Sequence, residues 1–124
     1  MKKFGFPKKR RLSSNRQFRA VLFRRKSVSD GRFRLYAAEN SCGFSRLGVS
    51  FGKVCGNSVI RNRVKRYFRE AFRINSQQVP ANFDYIVTVN RGAAAKSEYR
   101  ELIEKLTFSQ AEQVLLKLIS EIHN

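Results

Sequence analysis

Cationic side chains recur at every fourth residue in the middle of this chain, and the chemistry they suit is the binding of a polyanion. Arg61, Lys65, Arg69 and Arg73 occupy successive positions of this kind, and Glu70 is the single acid among them. On a helix, like charges four residues apart are destabilising by roughly 0.2–0.5 kcal/mol per pair. A phosphate backbone supplies the counter-charge that offsets this repulsion. The spacing therefore favours a nucleic acid as the ligand over a face that is merely solvated.

The same segment predicts a helix with two different faces, which begins at about residue 57 or 58 and ends at about residue 74. Either Asn57 or Ser58 can cap its N-terminus. Asn62 and Arg66 lie on the cationic face with Lys65, Arg69 and Arg73, and Arg61 and Arg63 lie at its flanks. The opposite face is apolar, at Ile60, Val64, Tyr67, Phe68 and Ala71. One face can therefore pack in a core while the other presents hydrogen-bond donors.

The residues needed for a stand-alone catalytic site are missing from the sequence. The one histidine, His123, is next to the last residue, where we expect it to fray and to make a poor general base. Without it no Ser/His/Asp or Cys/His set can be assembled, and the acids form no close cluster of the two-metal nuclease type. Gly48, Gly52 and Gly56 do not match a phosphate-cradling loop that ends in Gly-Lys-Ser/Thr. The chain is interpreted as a binding protein, and we predict neither catalytic nor metal-ligating residues.

The positive charge is concentrated in the first part of the chain. The protein has 124 residues and a formal net charge of +17. Residues 1–73 contain 21 Lys and Arg and 3 acids, whereas residues 74–124 contain 5 and 6. The length suits one compact domain. We therefore predict a single RNA-binding domain over residues 1–124, with its binding surface in the first part and with residues 1–11 as a basic N-terminal arm.

A membrane surface is the rival polyanion, and the sequence argues against it. No apolar run approaches the ~20 residues that span a bilayer. The charged N-terminal residues are not followed by the apolar core of a signal peptide. A basic amphipathic anchor is the alternative that stays open. Cys42 and Cys55 are too few for a disulfide framework and lack metal-site partners. We therefore expect a cytoplasmic protein with reduced cysteines and no membrane partner.

A helix and two strands are predicted between the arm and the cationic helix. The first helix runs from a serine cap at residue 13 or 14 to about residue 25, with an apolar stripe at Phe18, Val21 and Leu22. Residues 32–40 and 45–53 alternate as two strands that we expect to pair across a turn at 41–43. One face of this pair is apolar. The other face is basic, small and partly aromatic, which suits a ligand better than a core.

The rest of the chain predicts a buried strand at residues 84–91 and helical sequence from Ser97 onward. Strand, helix and strand in that order suggest a crossover that makes the last strand parallel to a neighbour. Ser109 and Glu112 match a capping box, so a separate terminal helix can run to about Ile122. The order helix, strand, strand, helix, strand, helix is typical of the α+β class.

The segment FGKVCGNSVIRNRVKR at residues 51–66, followed by REAFR at 69–73, resembles the signature of the bacterial ribonuclease P protein component. The hallmark of that signature is an Arg-Asn-Arg motif inside a helix, which is Arg61, Asn62 and Arg63 here. The similarity covers nearly the whole chain, from the basic arm through the strand that contains Tyr36 to the terminal helix.

The resemblance implies a fold and a function. The fold is an α/β sandwich with a left-handed β-α-β crossover, against the usual right-handed rule, like the second domain of a small-subunit ribosomal protein. The function is that of a subunit of ribonuclease P, an endoribonuclease that cuts the 5′ leader from precursor tRNA. The RNA subunit holds the Mg²⁺ ions that perform the hydrolysis, so the protein alone is expected to be non-catalytic and to bind no cofactor. The implied partners are ribonuclease P RNA and precursor tRNA, and the protein is expected to be monomeric before RNA binding.

The resemblance also implies two RNA-binding surfaces. The catalytic RNA is expected to contact Lys53, Asn57, Arg61, Asn62, Arg63, Lys65, Arg66 and Arg69. The single-stranded leader is expected in a cleft lined by Phe18, Leu22, Arg34, Tyr36, Arg46 and Ser50. The basic arm is expected to add Arg10, Arg11 and Arg16. Stacking on aromatic side chains beside a basic groove is how single strands commonly bind, so the residue types agree with these roles.

Two other functions stay open at the level of the sequence. The charge alone would suit a ribosomal or RNA-chaperone protein, which would bind RNA broadly and without preference for a leader. A stand-alone nuclease would need the carboxylate and histidine set that the chain lacks.

Overall fold

A four-stranded sheet with helices on both faces forms the described part of the protein, in a computed structural model that describes residues 11–12, 15–24, 26–90 and 96–124. The elements are α1 (Asn15–Arg24), β1 (Ser27–Ser29), β2 (Phe33–Glu39), β3 (Arg46–Ser50), α2 (Ser58–Ile74), β4 (Phe83–Val89), α3 (Lys96–Lys105) and α4 (Phe108–Ile122). Short 3₁₀ turns at Lys53–Cys55 and Ser76–Gln78 flank α2. The predicted α+β class is confirmed. The predicted serine cap of α1 lies outside the described residues.

The strand order is β1-β2-β4-β3, with β4 antiparallel to β2 and parallel to β3. The predicted parallel crossover is therefore confirmed, since it is the connection from β3 through α2 to β4. The predicted pairing of β2 with β3 is wrong, because β4 lies between them. Tyr85, Ile86 and Val87 are successive buried residues of β4, and a strand that is apolar on both faces is most stable at the centre of a sheet.

One face of the sheet packs against α2 and α4 and forms the main core. Alternation in β2 buries Phe33, Leu35 and Ala37 on this face, as predicted. Phe33 makes an edge contact with Phe68 of α2, with ring centroids 5.6 Å apart. The aromatic and β-branched residues of the sheet thus meet the apolar stripe of α2, which is the burial that holds the two layers together.

The cationic helix α2 forms as the sequence predicts. The side chain of Asn57 caps it by accepting a hydrogen bond from the Ile60 N–H at 3.0 Å. Val64, Phe68 and Ala71 are buried, and Phe72 adds a further buried ring that the predicted stripe did not include. Because the apolar stripe anchors the helix, the cations on its other side have a fixed backbone beneath them.

Three details of the predicted elements are wrong. The strand β1 was not predicted, because three residues are too few to show a period. The strand β3 ends at Ser50 and is followed by the 3₁₀ turn, so it is shorter than predicted. The capping box of α4 is formed by Thr107 and Gln110 rather than by Ser109 and Glu112, although the separate terminal helix ends at Ile122 as predicted.

His123 is packed against the sheet and is not frayed, in contrast to the prediction. Its Nε2 lies 2.6 Å from the Tyr85 hydroxyl, and its ring makes an edge contact with Phe83 at a centroid separation of 4.5 Å. Partial burial, followed by the nearby positive charge of Lys26, lowers the pKa of His123. Burial raises the pKa of Tyr85, so its hydroxyl stays protonated. His123 therefore joins the end of α4 to β4 as a structural residue.

Candidate nucleic-acid interface

The second face of the sheet carries three rows of side chains, because β2, β4 and β3 lie in register. The rows, each running from β2 through β4 to β3, are Ala38–Asp84–Arg46, Tyr36–Ile86–Gly48 and Arg34–Thr88–Ser50. The middle row is apolar and the Arg34 row is polar. A ligand on this face would therefore meet an apolar surface beside a line of hydrogen-bonding groups.

Helix α1 packs over the middle row and forms one wall of a cleft. Phe18 and Val21 of this helix pack with Leu12 and Ile86 in a small second core. A Cβ atom at Gly48 would lie 2.7 Å from Cζ of Phe18, which is too close for any side chain. Glycine at this position therefore lets the Phe18 ring lie directly on the sheet, next to Tyr36.

The cleft has a volume of about 410 Å³. Five of the six predicted cleft residues line it, namely Phe18, Leu22, Arg34, Tyr36 and Ser50. Leu22 is among the large apolar side chains that remain exposed, at 40%. An aromatic and aliphatic wall that stays accessible is the type of surface on which unpaired bases stack.

Arg46 does not line this cleft. Its Nε and Nη2 donate to the two carboxylate oxygens of Asp84 at 2.7 Å each, and Asn40 donates to the same carboxylate at 2.6 Å. The hydrogen bond to Asp84 is the main reason that the pKa of Arg46 is raised. The side chain predicted to bind the leader thus has a bidentate partner within the fold, and Arg46 ties β3 to β4.

The polar side of the cleft includes residues that the sequence prediction missed. The cleft is also lined by Thr88 and Val89 at the end of β4, by Asn90 just after it, and by Ile86 and Gly52. These residues were missed because the sequence does not show that β4 is the central strand. The residues of a central strand that face α1 form the floor of the cleft. Had β4 been placed between β2 and β3, Ile86 and Thr88 would have been predicted as cleft residues.

The cations of α2 lie on a different side of the molecule, since α2 packs against the opposite face of the sheet from the cleft. Arg61, Lys65 and Arg69 share one stripe of this helix. Partial burial, followed by the charges of Arg69 and Arg61, lowers the pKa of Lys65. Partial burial and the charge of Arg11 lower the pKa of Arg69. The stripe is thus a region of repelling positive charge, which an anionic ligand would stabilise.

The ion pairs of the described residues join Arg46 to Asp84, Arg73 to Glu70 and Lys105 to Glu101. Among the residues described here, Lys65, Arg66 and Arg69 therefore have no salt-bridge partner. Arg73, by contrast, pairs with the acid three residues before it. Glu70 therefore neutralises Arg73 and leaves the positive charges of Lys65, Arg66 and Arg69 unpaired within the described residues.

The two arginines of the Arg-Asn-Arg motif also contact the protein itself. Arg61 donates from Nε to the Gly56 carbonyl at 3.1 Å. Arg63 donates from Nη2 to the Glu104 carbonyl at 2.7 Å. Glu104 is in the last turn of α3, where carbonyl groups lack partners within the helix. Arg63 therefore holds α3 against α2, whereas Asn62 between the two arginines is exposed.

A second cavity, of about 500 Å³, lies at the start of α2. It is lined by Lys53, Asn57 and Arg61, which were all predicted to bind RNA, and by Arg100 and Glu104 of α3. No local pattern predicts the α3 residues, because they are more than thirty positions further along the chain. Three cations around one cavity suit a phosphate group, although Glu104 reduces the local charge.

Of the predicted basic-arm residues, Arg10 lies outside the described residues. Arg11 pairs with β3 through an isolated parallel bridge to Leu47, which places it near Arg69. Arg16 is exposed on α1. The bridge extends the edge of the sheet beyond β3 and brings Arg11 beside the cationic stripe.

Comparison with known proteins identifies the family. A family model described as "Ribonuclease P" matches residues 6–121, which is most of the chain. The chain belongs to the ribonuclease P protein family. The "Ribonuclease P protein component" of Alkaliphilus oremlandii is 38% identical over 92 residues, which cover 74% of this chain and 80% of that protein.

Solved structures of ribonuclease P proteins have the same fold. The protein from Thermotoga maritima superposes with a TM-score of 0.74 at 29% identity, covering 90% of this chain and 96% of that one. The protein from Staphylococcus aureus gives a TM-score of 0.73 at 26% identity, covering 93% and 98%. Membership of this family, the protein component of a tRNA-processing ribonucleoprotein endoribonuclease, implies an RNA partner.

The described part of this member of the ribonuclease P family contains neither a metal-binding cluster nor a membrane-spanning helix. Within the described residues, no group of three or more His, Cys, Asp or Glu is placed to hold a metal ion. Among the helices in that part of the chain, none is long and apolar enough to cross a membrane. Cys42 is exposed and Cys55 is buried, and neither forms a disulfide.

Proposed function

We propose that this chain is the protein subunit of a ribonuclease P holoenzyme and that its two surfaces bind two RNAs. The cationic stripe of α2 binds the catalytic RNA, and the cleft between α1 and the sheet binds the 5′ leader of precursor tRNA. The observation that supports this proposal most strongly is that an aromatic cleft and a cationic stripe, which has no salt-bridge partner among the described residues, lie on different sides of one small domain. In this proposal the protein is a cytoplasmic monomer before it binds RNA.

Each surface suits one of these tasks. A single-stranded leader can stack on Phe18 and Tyr36, and stacking of this kind contributes about 1–3 kcal/mol per base. Lys65, Arg66 and Arg69 can contact phosphates of a folded RNA, which releases bound counterions and makes the binding depend on salt. The hydrolysis itself, with its Mg²⁺ ions, belongs to the RNA. The protein lowers the electrostatic cost of bringing two RNAs together and so lowers the Mg²⁺ concentration required.

The test is cleavage of precursor tRNA at low Mg²⁺, with a bacterial ribonuclease P RNA present or absent and with this protein present or absent. We expect cleavage at the mature 5′ end that requires the RNA and is stimulated by the protein. Cleavage by the protein alone, after rigorous removal of RNA, would instead support a nuclease. Tight RNA binding without stimulation would support a ribosomal or chaperone protein.

Matched variants test the division into two surfaces. Tyr36→Ala should weaken the binding of precursor tRNA to the holoenzyme and leave the binding of mature tRNA unchanged, because only the precursor has a leader. Lys65→Ala should weaken assembly with the catalytic RNA. It should also reduce the slope of log affinity against log salt concentration by the contribution of about one phosphate contact. If both variants weaken the same step by the same factor, the division is wrong.

A further inference from the structure

We infer that Arg34 gives the cleft a preference for a guanine base in the strand that it binds, and that Asn90 positions Arg34 for this contact. The inference rests on the proposed function, because it concerns the leader-binding cleft. It adds a preference for one base to the leader-binding role, and the family resemblance implies no such preference.

Two hydrogen bonds fix the guanidinium of Arg34 at the floor of the cleft. Its Nε donates to Oδ1 of Asn90 at 3.1 Å, and its Nη1 donates to Oγ of Ser27 at 2.8 Å. An arginine has five N–H donors in one plane, so three remain for a ligand. None of the ion pairs among the described residues includes Arg34. The side chain is therefore oriented by neutral partners, and its positive charge is not neutralised by a neighbouring carboxylate among the described residues.

Asn90 is itself held on several sides. Its backbone N–H donates to the Arg32 carbonyl at 2.8 Å, and its own carbonyl accepts from the Tyr99 hydroxyl at 2.8 Å. Its Nδ2 donates to the Gly31 carbonyl at 3.4 Å. These bonds leave Oδ1 directed at Arg34. Because the guanidinium is oriented before a ligand arrives, little ordering entropy is lost when a ligand binds.

The register of the sheet places Arg34 at the edge of a stacked base rather than at a phosphate. The apolar row with Tyr36 lies under Phe18, and the polar row with Arg34, Thr88 and Ser50 is the next row along the strands. Ile86 and Gly48 of the apolar row are buried beneath Phe18, so a base in the cleft stacks on the accessible parts of Phe18 and Tyr36. Its edge then faces Arg34 and Ser50, which line the same cleft. Its sugar and phosphate then lie toward the mouth of the cleft, away from the floor where Arg34 is anchored.

The donors of Arg34 select among the four bases. A planar guanidinium binds best to two adjacent acceptors, and guanine offers O6 and N7 in this arrangement. Adenine places an amino donor beside N7, and the two carbonyl groups of uracil flank an N–H donor. Cytosine has adjacent acceptors at O2 and N3, but its single ring stacks over a smaller area than a purine. The cleft therefore suits guanine best.

The test uses the assembled holoenzyme and precursor tRNAs whose leaders are all adenosine except for one guanosine, which is moved through each leader position in turn. Binding is measured under conditions that prevent cleavage. We expect one position at which guanosine tightens binding by about five-fold or more. Arg34→Lys keeps the positive charge but lacks the paired, planar N–H donors of the guanidinium. It should therefore make the affinities for guanosine and adenosine at that position equal. Asn90→Ala should reduce the same ratio, and Arg32→Lys, at an exposed neighbouring arginine, should not change it.

The outcomes separate this inference from the proposed function. Equal affinity for all leaders, together with protein-stimulated cleavage, would overturn the inference and leave the proposed function standing. A guanosine preference that survives Arg34→Lys would also overturn it, because the preference would then have another source. If the wild-type protein does not stimulate cleavage at all, the proposed function fails first.

Discussion

At the scale of single residues, the arginines of α2 differ in whether their side chains make hydrogen bonds within the protein. Arg63 donates to the end of α3, and Arg61 donates to the loop that precedes α2. Arg66 is exposed on the same helix. A guanidinium that holds two elements together contributes to folding, whereas an exposed one is available to a ligand without a structural role.

This difference predicts different effects for two substitutions that remove the same charge. Arg63→Ala should lower the free energy of unfolding by about 1 kcal/mol, because the Glu104 carbonyl loses a charged donor at an accessible site. Arg66→Ala should not lower the free energy of unfolding, because no contact within the fold is lost, and should reduce the salt dependence of RNA binding by the contribution of about one phosphate contact. Urea unfolding and RNA titrations at several salt concentrations measure the two quantities. Equal stability of the two variants would contradict the role given to Arg63.

At the scale of elements, the cleft depends on how closely α1 approaches the sheet. The contact between Phe18 and the backbone of Gly48 sets this distance, since no Cβ atom fits between them. The small core below α1 contains few residues, namely Leu12, Val21 and Ile86 with Phe18, Tyr36 and Ala38. A helix with so limited a core is easily displaced, and its displacement would change the cleft more than the rest of the fold.

Gly48→Ala should therefore move α1 or rotate the Phe18 ring, at a cost of about 1–3 kcal/mol in stability. Leader affinity should fall more than affinity for the catalytic RNA, because α2 packs on the other face. Adding Phe18→Leu should recover part of the stability by making room for the new methyl group, but not the leader affinity. A Gly48→Ala protein with wild-type stability and leader affinity would show that the close approach has no such role.

The whole molecule combines a strongly cationic first part with a nearly neutral second part. The charged first part contains the cationic stripe of α2 and one wall of the cleft, and the second part supplies β4 and α4, which complete the core. Such an excess of positive charge repels itself in the free protein. Stability at the scale of the molecule should therefore respond to any further gain of charge, and His123 is the one histidine that can gain it near neutral pH.

The lowered pKa of His123 fixes the sign of this response. The folded state favours the neutral ring, so its contribution to stability is complete above the ordinary histidine pKa of 6.5 and is lost as the pH falls through the lowered value in the folded state. The melting temperature should fall between about pH 7.5 and about pH 5. His123→Gln should remove most of this dependence. An identical pH profile for the variant would mean that another group controls the response.

The sequence predicted the parts of this fold that have a clear period. The 3.6-residue stripe of α2 and the alternation in β2 identified those elements and their buried faces, whereas five of the cleft residues followed from the family resemblance. It did not predict contacts that depend on strand order or on long separations in sequence. The pairing of Arg46 with Asp84, the anchoring of Arg34 by Asn90 and the packing of His123 on Tyr85 each join residues 38 or more positions apart. No local pattern contains that information.

The loop between β2 and β3 has a practical use for experiments on this protein. It carries Cys42, which is exposed, whereas the other cysteine of the chain, Cys55, is completely buried. The loop adjoins the Ala38–Asp84–Arg46 row, and the Arg34 row lies at the other end of the same strands. A thiol-reactive dye would therefore attach at one position, away from the polar end of the cleft, and could report RNA binding in real time without a substitution in the protein.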